Sequence, residues 1–94
     1  MHTASMDDVE FDRAKDRLNK LRHGVEFADA EQVLRDPYAL TIEDPDAVEE
    51  VRCVTLGMDS RCRLLVVVHT SRGKRSRIIS ARKASRGESR TYHA

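Results

Sequence analysis

Apolar residues recur along this chain at two spacings, and the change from one to the other divides it. From Asp12 onward Ala14, Leu18 and Leu21 fall at i, i+4 and i+7, the spacing of one helix face, and Asp12 is a good N-cap. Gly24 follows Lys20, Arg22 and His23, the chemistry of a helix C-terminus. A second short helix is predicted from about Phe27 to Arg35, with Phe27, Ala30, Val33 and Leu34 on one face before Pro37 prevents continuation.

Beyond Pro37 the period becomes two. Tyr38, Leu40 and Ile42 alternate as a short strand, and alternation resumes in VRCVTLGM from Val51. Met58-Asp59-Ser60-Arg61 reads as a tight turn, Leu64 to Val68 as a central strand, Ser71-Arg72-Gly73-Lys74 as the next turn, and Arg75 to Ala84 as a returning strand. Ser85-x-x-Glu88 is a capping box that opens a last helix reaching Tyr92, with Gly87 as its weak point. Val9 and Phe11 suit a short edge strand, while residues 1–8 show no periodicity and read as a flexible tail. The expectation is a single α+β domain over 9–94: two N-terminal helices, an antiparallel meander of about four strands, and a C-terminal helix.

Closing the hairpins on Asp59-Ser60 and on Ser71 to Lys74 sorts the side chains between two faces. Cys53, Thr55, Leu64, Val66, Val68 and Ala81 form an apolar face to pack on the leading helices. Arg52, Arg63, Leu65, Val67, His69, Ile78 and Arg82 share the other face, with Arg63 opposite Arg82 and His69 opposite Ser76.

Charge sharpens this picture. The net charge of +1 conceals six Lys/Arg against fourteen Asp/Glu in residues 1–50, and eleven against two in residues 51–94, so the halves carry −8 and +9. A half so basic points to a polyanion-binding face; the alternative reading is that the two halves neutralise each other in the fold. No apolar run is long enough to span a bilayer, and Met1 to Glu10 lacks the pattern of a secretory signal, so a cytoplasmic protein away from membranes is expected. Cys53 and Cys62 have no metal-ligand spacing and read as buried, reduced thiols.

Arginines facing each other across a strand pair repel unless an anion sits between them. An RNA phosphate suits that place, because planar guanidinium groups bind its oxygens in pairs and stabilise the charge of a cleavage transition state. The alternative is pairing of Arg63 and Arg82 with Glu50, Glu88 or the acidic loop from Glu43 to Glu50. His69 beside arginines fits a proton shuttle, whereas His23 fits a helix C-terminus. Tyr92 is a phosphate contact, a proton donor or an amphipathic anchor. A general-base role for Glu88 competes with its capping bond.

The segments FDRAKDRLNKLRHGV (11–25), FADAEQVLRDP (27–37), Glu50-x-Arg52, LGM (56–58), LLVVVHTSRG (64–73) and RIISARKA (77–84), with Glu88 and Tyr92 at fixed spacing after Arg82, resemble the BrnT family of ribonuclease toxins. Phe11 stands where that family often has tryptophan, and Gly87 where it usually has a basic residue. The resemblance implies a RelE-like fold and a type II toxin–antitoxin component. It further implies a metal-independent, cofactor-free endoribonuclease that arrests translation and growth. Its partners would be an RNA substrate and a BrnA-type ribbon-helix-helix antitoxin, through which alone it would meet DNA. Catalytic roles then fall on Arg63, His69, Arg82, Glu88 and Tyr92, RNA binding falls on Arg52, Lys74, Arg75, Arg77 and Lys83, and no residue is assigned to a metal. Two other readings use the same basic half: a nucleic-acid-binding module that does not cut, and a module that docks an acidic partner.

Overall fold

The computed structural model describes residues 9–48 and 50–94, so the expected tail over 1–8 lies outside the described residues. The elements run β1 (Val9–Glu10), α1 (Arg13–His23), α2 (Phe27–Val33), β2 (Leu40–Glu43), β3 (Arg52–Met58), β4 (Leu64–Arg72), β5 (Arg75–Lys83) and α3 (Arg86–His93). Among the described residues the sheet has five strands in the order β1-β5-β4-β3-β2. The meander β2 to β5 is antiparallel, and β1 joins β5 in parallel, which makes the sheet mixed.

The helix ends form as the local chemistry dictates. The Asp12 carboxylate accepts the backbone N–H groups of Ala14 and Lys15 at 2.7 and 3.3 Å, and Gly24 closes α1 at φ 70°, where a side chain would be strained. In α3 the Ser85 hydroxyl and the Glu88 carboxylate complete the capping box in both directions.

The core joins Val25, Phe27, Ala30 and Val33 to Leu65, Val67, Ile78 and Ala81, and each large apolar side chain buried there stabilises the fold by roughly 1.5–3 kcal/mol. At Gly57 a Cβ would lie 2.9 Å from Val33 Cγ1, so glycine sets how closely α2 approaches the sheet. The opposite face carries Val54, Leu56 and Val66 beneath α3. Among the described residues of α3 none is buried.

Three expectations are corrected. The trial register fails because the first hairpin closes later than Asp59-Ser60. Met58 faces Leu64 across a longer loop in which the Asp59 side chain accepts the backbone N–H groups of Arg61 and Arg63, and Cys62 takes φ 63°. The second hairpin turns on Gly73-Lys74, with Arg72 opposite Arg75, and a bulge between Val68 and His69 leaves Ile79 out of the ladder. The faces are therefore exchanged for β4 and Ile78: Leu65, Val67 and Ile78 are core, Thr55 and Ala81 stay on the helix side and Arg82 on the other, where it lies opposite Val66, and His69 lies opposite Ile78.

The second correction concerns α1. Leu18 and Leu21 are exposed, Leu21 to 84%, and the residue that α1 buries is Asn19, at 6%. β1 pairs only with Ser76 and Arg77, so the backbone of Ala81 needs another partner. The Asn19 amide supplies it, donating to Ala81 O at 2.8 Å and accepting from Ala81 N at 3.1 Å. The third correction is that Cys62 is exposed and Cys53 only half-buried, although both are free thiols.

Candidate nucleic-acid interface

Arg82 stands near the end of β5, on the face away from α1 and α2. Its Nη1 and Nη2 donate to Glu88 Oε1 and Oε2 at 2.8 and 2.9 Å, a two-point contact with the side chains partly open to solvent. Glu88 Oε1 also accepts the backbone N–H of Ser85 at 2.8 Å. The Arg82 guanidinium, followed by that backbone donor, holds the Glu88 carboxyl down at about 2, while Glu88 in turn raises Arg82.

The other residues expected to be catalytic are spread over the molecule. Arg63 lies on the α2 side, where Nη2 meets Asp29 Oδ2 and Nε meets Asp59 Oδ2, each at 2.9 Å. Burial pushes the Asp59 carboxyl up, but the Arg63 backbone N–H and guanidinium and the Arg61 N–H outweigh it and leave Asp59 lowered. His69 Nε2 lies 2.7 Å from Thr55 Oγ1, which lies 2.8 Å from Thr41 Oγ1, so the imidazole ends a polar chain that reaches edge strand β2. Burial lowers the His69 pKa. The Tyr92 hydroxyl donates to Asp36 Oδ2 at 2.6 Å, and that carboxylate pushes the phenol up to about 12.

Among the residues expected to bind RNA, Arg75 and Arg77 pair with Glu10 of β1 at 3.6 and 3.1 Å, and Arg52 sits 3.6 Å from Glu50. Lys74 at the hairpin tip and Lys83 at the end of β5 form no ion pair among the described residues. Lys83 and Arg63 do meet around one cleft, with Cys62, Ser89 and His93. The fold thus brings Arg82 to Glu88 and Arg63 to Lys83, while Tyr92, one turn after Glu88 on α3, bonds Asp36 and His69 bonds Thr55. Sequence reasoning missed the carboxylates that engage these groups, Asp29, Asp36 and Asp59. Only Asp59, at a turn four residues before Arg63, left a local signal.

Residues 11–88 match the family described as the ribonuclease toxin BrnT of type II toxin–antitoxin systems. The chain belongs to the BrnT family. The crystal structure of the ribonuclease toxin BrnT from Brucella abortus is similar, with 25% identity over 83% of this chain and 96% of that one, at a TM-score of 0.62. No curated protein matches. As a BrnT-family ribonuclease toxin the chain has RNA as its substrate class and an antitoxin as its partner. Among the described residues no helix is long and apolar enough to cross a membrane, and no three His, Cys, Asp or Glu side chains gather as a metal ligand set.

Proposed function

We infer that this BrnT-family toxin cleaves RNA with fixed cationic side chains in place of a metal ion, and that Arg82 holds the scissile phosphate. The observation that supports this most is the two-point Arg82–Glu88 contact at 2.8 and 2.9 Å. A phosphodiester presents two oxygens to a guanidinium in the same planar manner and can displace the carboxylate. The RNA 2′-hydroxyl then attacks the adjacent phosphorus. The P–O bond to the 5′-oxygen breaks, that oxygen gains a proton, and the products are a 2′,3′-cyclic phosphate and a 5′-hydroxyl end. Arg82 stabilises the charge that builds on the phosphoryl oxygens, and Lys83, on the other side of β5 beside Arg63, contacts the RNA backbone farther along.

Glu88 takes up the 2′-hydroxyl proton in this scheme. Paired with Arg82 its pKa is about 2, too low for a useful base, and departure of Arg82 to the phosphate relieves that depression. Arg63, His69 and Tyr92 act as positioning residues, for the β3–β4 hairpin, the β2 edge and α3 respectively. Lys74 is an open contact for the RNA backbone, whereas Arg52, Arg75 and Arg77 must first leave their carboxylates. Cleavage of cellular RNA accounts for arrest of translation and growth, and a BrnA-type ribbon-helix-helix antitoxin that covers this face accounts for neutralisation.

Cleavage of a single-stranded RNA by Arg82→Ala and Arg77→Ala tests the assignment. Arg82→Ala should lose about a hundredfold in rate, the scale of losing one charge-stabilising donor, and Arg77→Ala less than threefold. Unchanged cleavage by a folded Arg82→Ala overturns it.

A further inference from the structure

We propose that a second phosphate-binding site for the RNA lies in the cleft between α1 and the outer edge of β5, walled by Lys15 and Arg22. The inference rests on the RNA-cleaving reading above and says where the substrate strand runs.

Lys15, Leu18, Asn19 and Arg22 fall at i, i+3, i+4 and i+7 and so form one stripe of α1. Asn19 ties that stripe to Ala81, which sets Lys15 one turn before and Arg22 one turn after a fixed point on β5. β1 covers β5 only at Ser76 and Arg77, so beyond them the strand's outer edge has no strand beside it. The bulge residue Ile79 and Ser80 form the floor, His23 completes the rim, and the volume is about 250 Å³.

Charge decides what such a cleft takes. Its ionisable lining is Lys15, Arg22 and His23, with no carboxylate, and neither Lys15 nor Arg22 forms an ion pair among the described residues. This adds to the expectation from the sequence, which placed the polyanion face in the +9 half. In that half Arg52, Arg63, Arg75, Arg77 and Arg82 already hold carboxylates; in α1 Lys20 is paired with Glu26 at 3.1 Å, whereas Lys15, which only feels the charge of Asp12, and Arg22 form no ion pair among the described residues. Concave cationic surface without a counter-ion concentrates potential and attracts anions.

Size and lining select the RNA backbone over a base. The cleft is smaller than the roughly 300 Å³ at which pockets for whole small molecules begin, and no Phe, Tyr or Trp ring lines it, His23 at the rim being the one ring on which a base could stack. Ser80 is two residues from Arg82, about 7 Å along an extended strand. An RNA strand that crosses the open edge of β5 therefore meets Arg82 and then the cleft.

The test is fluorescence anisotropy of a labelled single-stranded RNA with 2′-O-methyl riboses, which binds but cannot be cleaved, titrated with the full chain. Lys15→Ala and Arg22→Ala should each weaken binding five- to tenfold, and each should reduce the slope of log affinity against log salt by about 0.7, the contribution of one phosphate contact on a single strand. Arg17→Ala removes the same charge from the opposite side of α1 and should cost less than twofold. Equal losses in all three variants, or wild-type binding by both cleft variants, overturn the proposal. Lys15→Gln and Arg22→Gln repeat the test if an alanine variant melts early. If the wild-type chain neither binds nor cuts RNA, the functional reading fails and the cleft with it. If wild type binds and only Arg82→Ala weakens binding, the cleft alone is wrong.

Discussion

Asn19 and Ala81 stand 62 residues apart in sequence and are joined by two hydrogen bonds, an asparagine amide serving where a neighbouring strand would. Asn19 also donates to Val25 O at 2.9 Å, so this buried side chain ties α1, the turn after it and β5 together. Asn19→Ala leaves buried backbone donors and acceptors without partners, at about 1–3 kcal/mol for each such group. With three such groups the expected loss in urea denaturation is about 3–5 kcal/mol, the low end of that sum because the chain can relax around them. A loss near zero would mean that water satisfies these groups.

Gly57→Ala tests the fit of α2 on the sheet. The added methyl meets Val33 Cγ1 at 2.9 Å, Val33 O at 3.1 Å and Ala39 Cβ at 3.2 Å, so α2 must shift to admit it. Overpacking of this kind costs about 1–3 kcal/mol, and thermal unfolding should show a lower midpoint. An unchanged midpoint would show that α2 yields freely.

The Arg82–Glu88 pair makes stability depend on acid. The folded pKa of Glu88 is about 2 against an ordinary 4.5, so below pH 4.5 the unfolded chain binds the extra proton. The stabilisation is present above pH 4.5 and is lost as pH falls toward 2. Partial exposure of both side chains makes the effect modest. Glu88→Gln should narrow its stability gap to wild type as pH drops through that window. A constant gap would show that the pair contributes nothing that titrates.

His69 has the same sign for a different reason. Burial depresses its pKa below 6.5, so stability is full above that pH and declines as acid charges the ring. His69→Gln should flatten the decline between about pH 7 and pH 5 while leaving RNA cleavage within about threefold of wild type, as expected for a group on the α2 side of the sheet that touches no substrate. A hundredfold loss of cleavage without loss of fold would make His69 a catalytic residue.

What was legible in the sequence was what is local. Asp12, Gly24 and the Ser85–Glu88 box act on residues within four positions, so their types at their spacing suffice. The antiparallel run from β2 to β5 was legible from alternation and turn residues. The register was not, because Leu64 to Val68 is apolar at every position and the sheet is covered on both faces, leaving no polar side to mark solvent. The buried face of α1 was hidden for a related reason. Leu18 and Leu21 satisfy the helical period, yet the bond that sets the face is a polar one from Asn19 to a strand that forms much later in the chain. The arginines of the second half were legible as cations, but their carboxylate partners, such as Asp29 for Arg63, come from elements distant in sequence.

The central claim is that fixed side chains carry out RNA cleavage in this BrnT-family toxin. The most direct measurement is incubation of the purified chain with a single-stranded RNA in excess EDTA, with product ends identified by mass. The account requires undiminished cleavage that yields 2′,3′-cyclic phosphate and 5′-hydroxyl ends, and its abolition in Arg82→Ala. Loss of cleavage on chelation with recovery on added Mg²⁺, or products that carry 5′-phosphates, would contradict it.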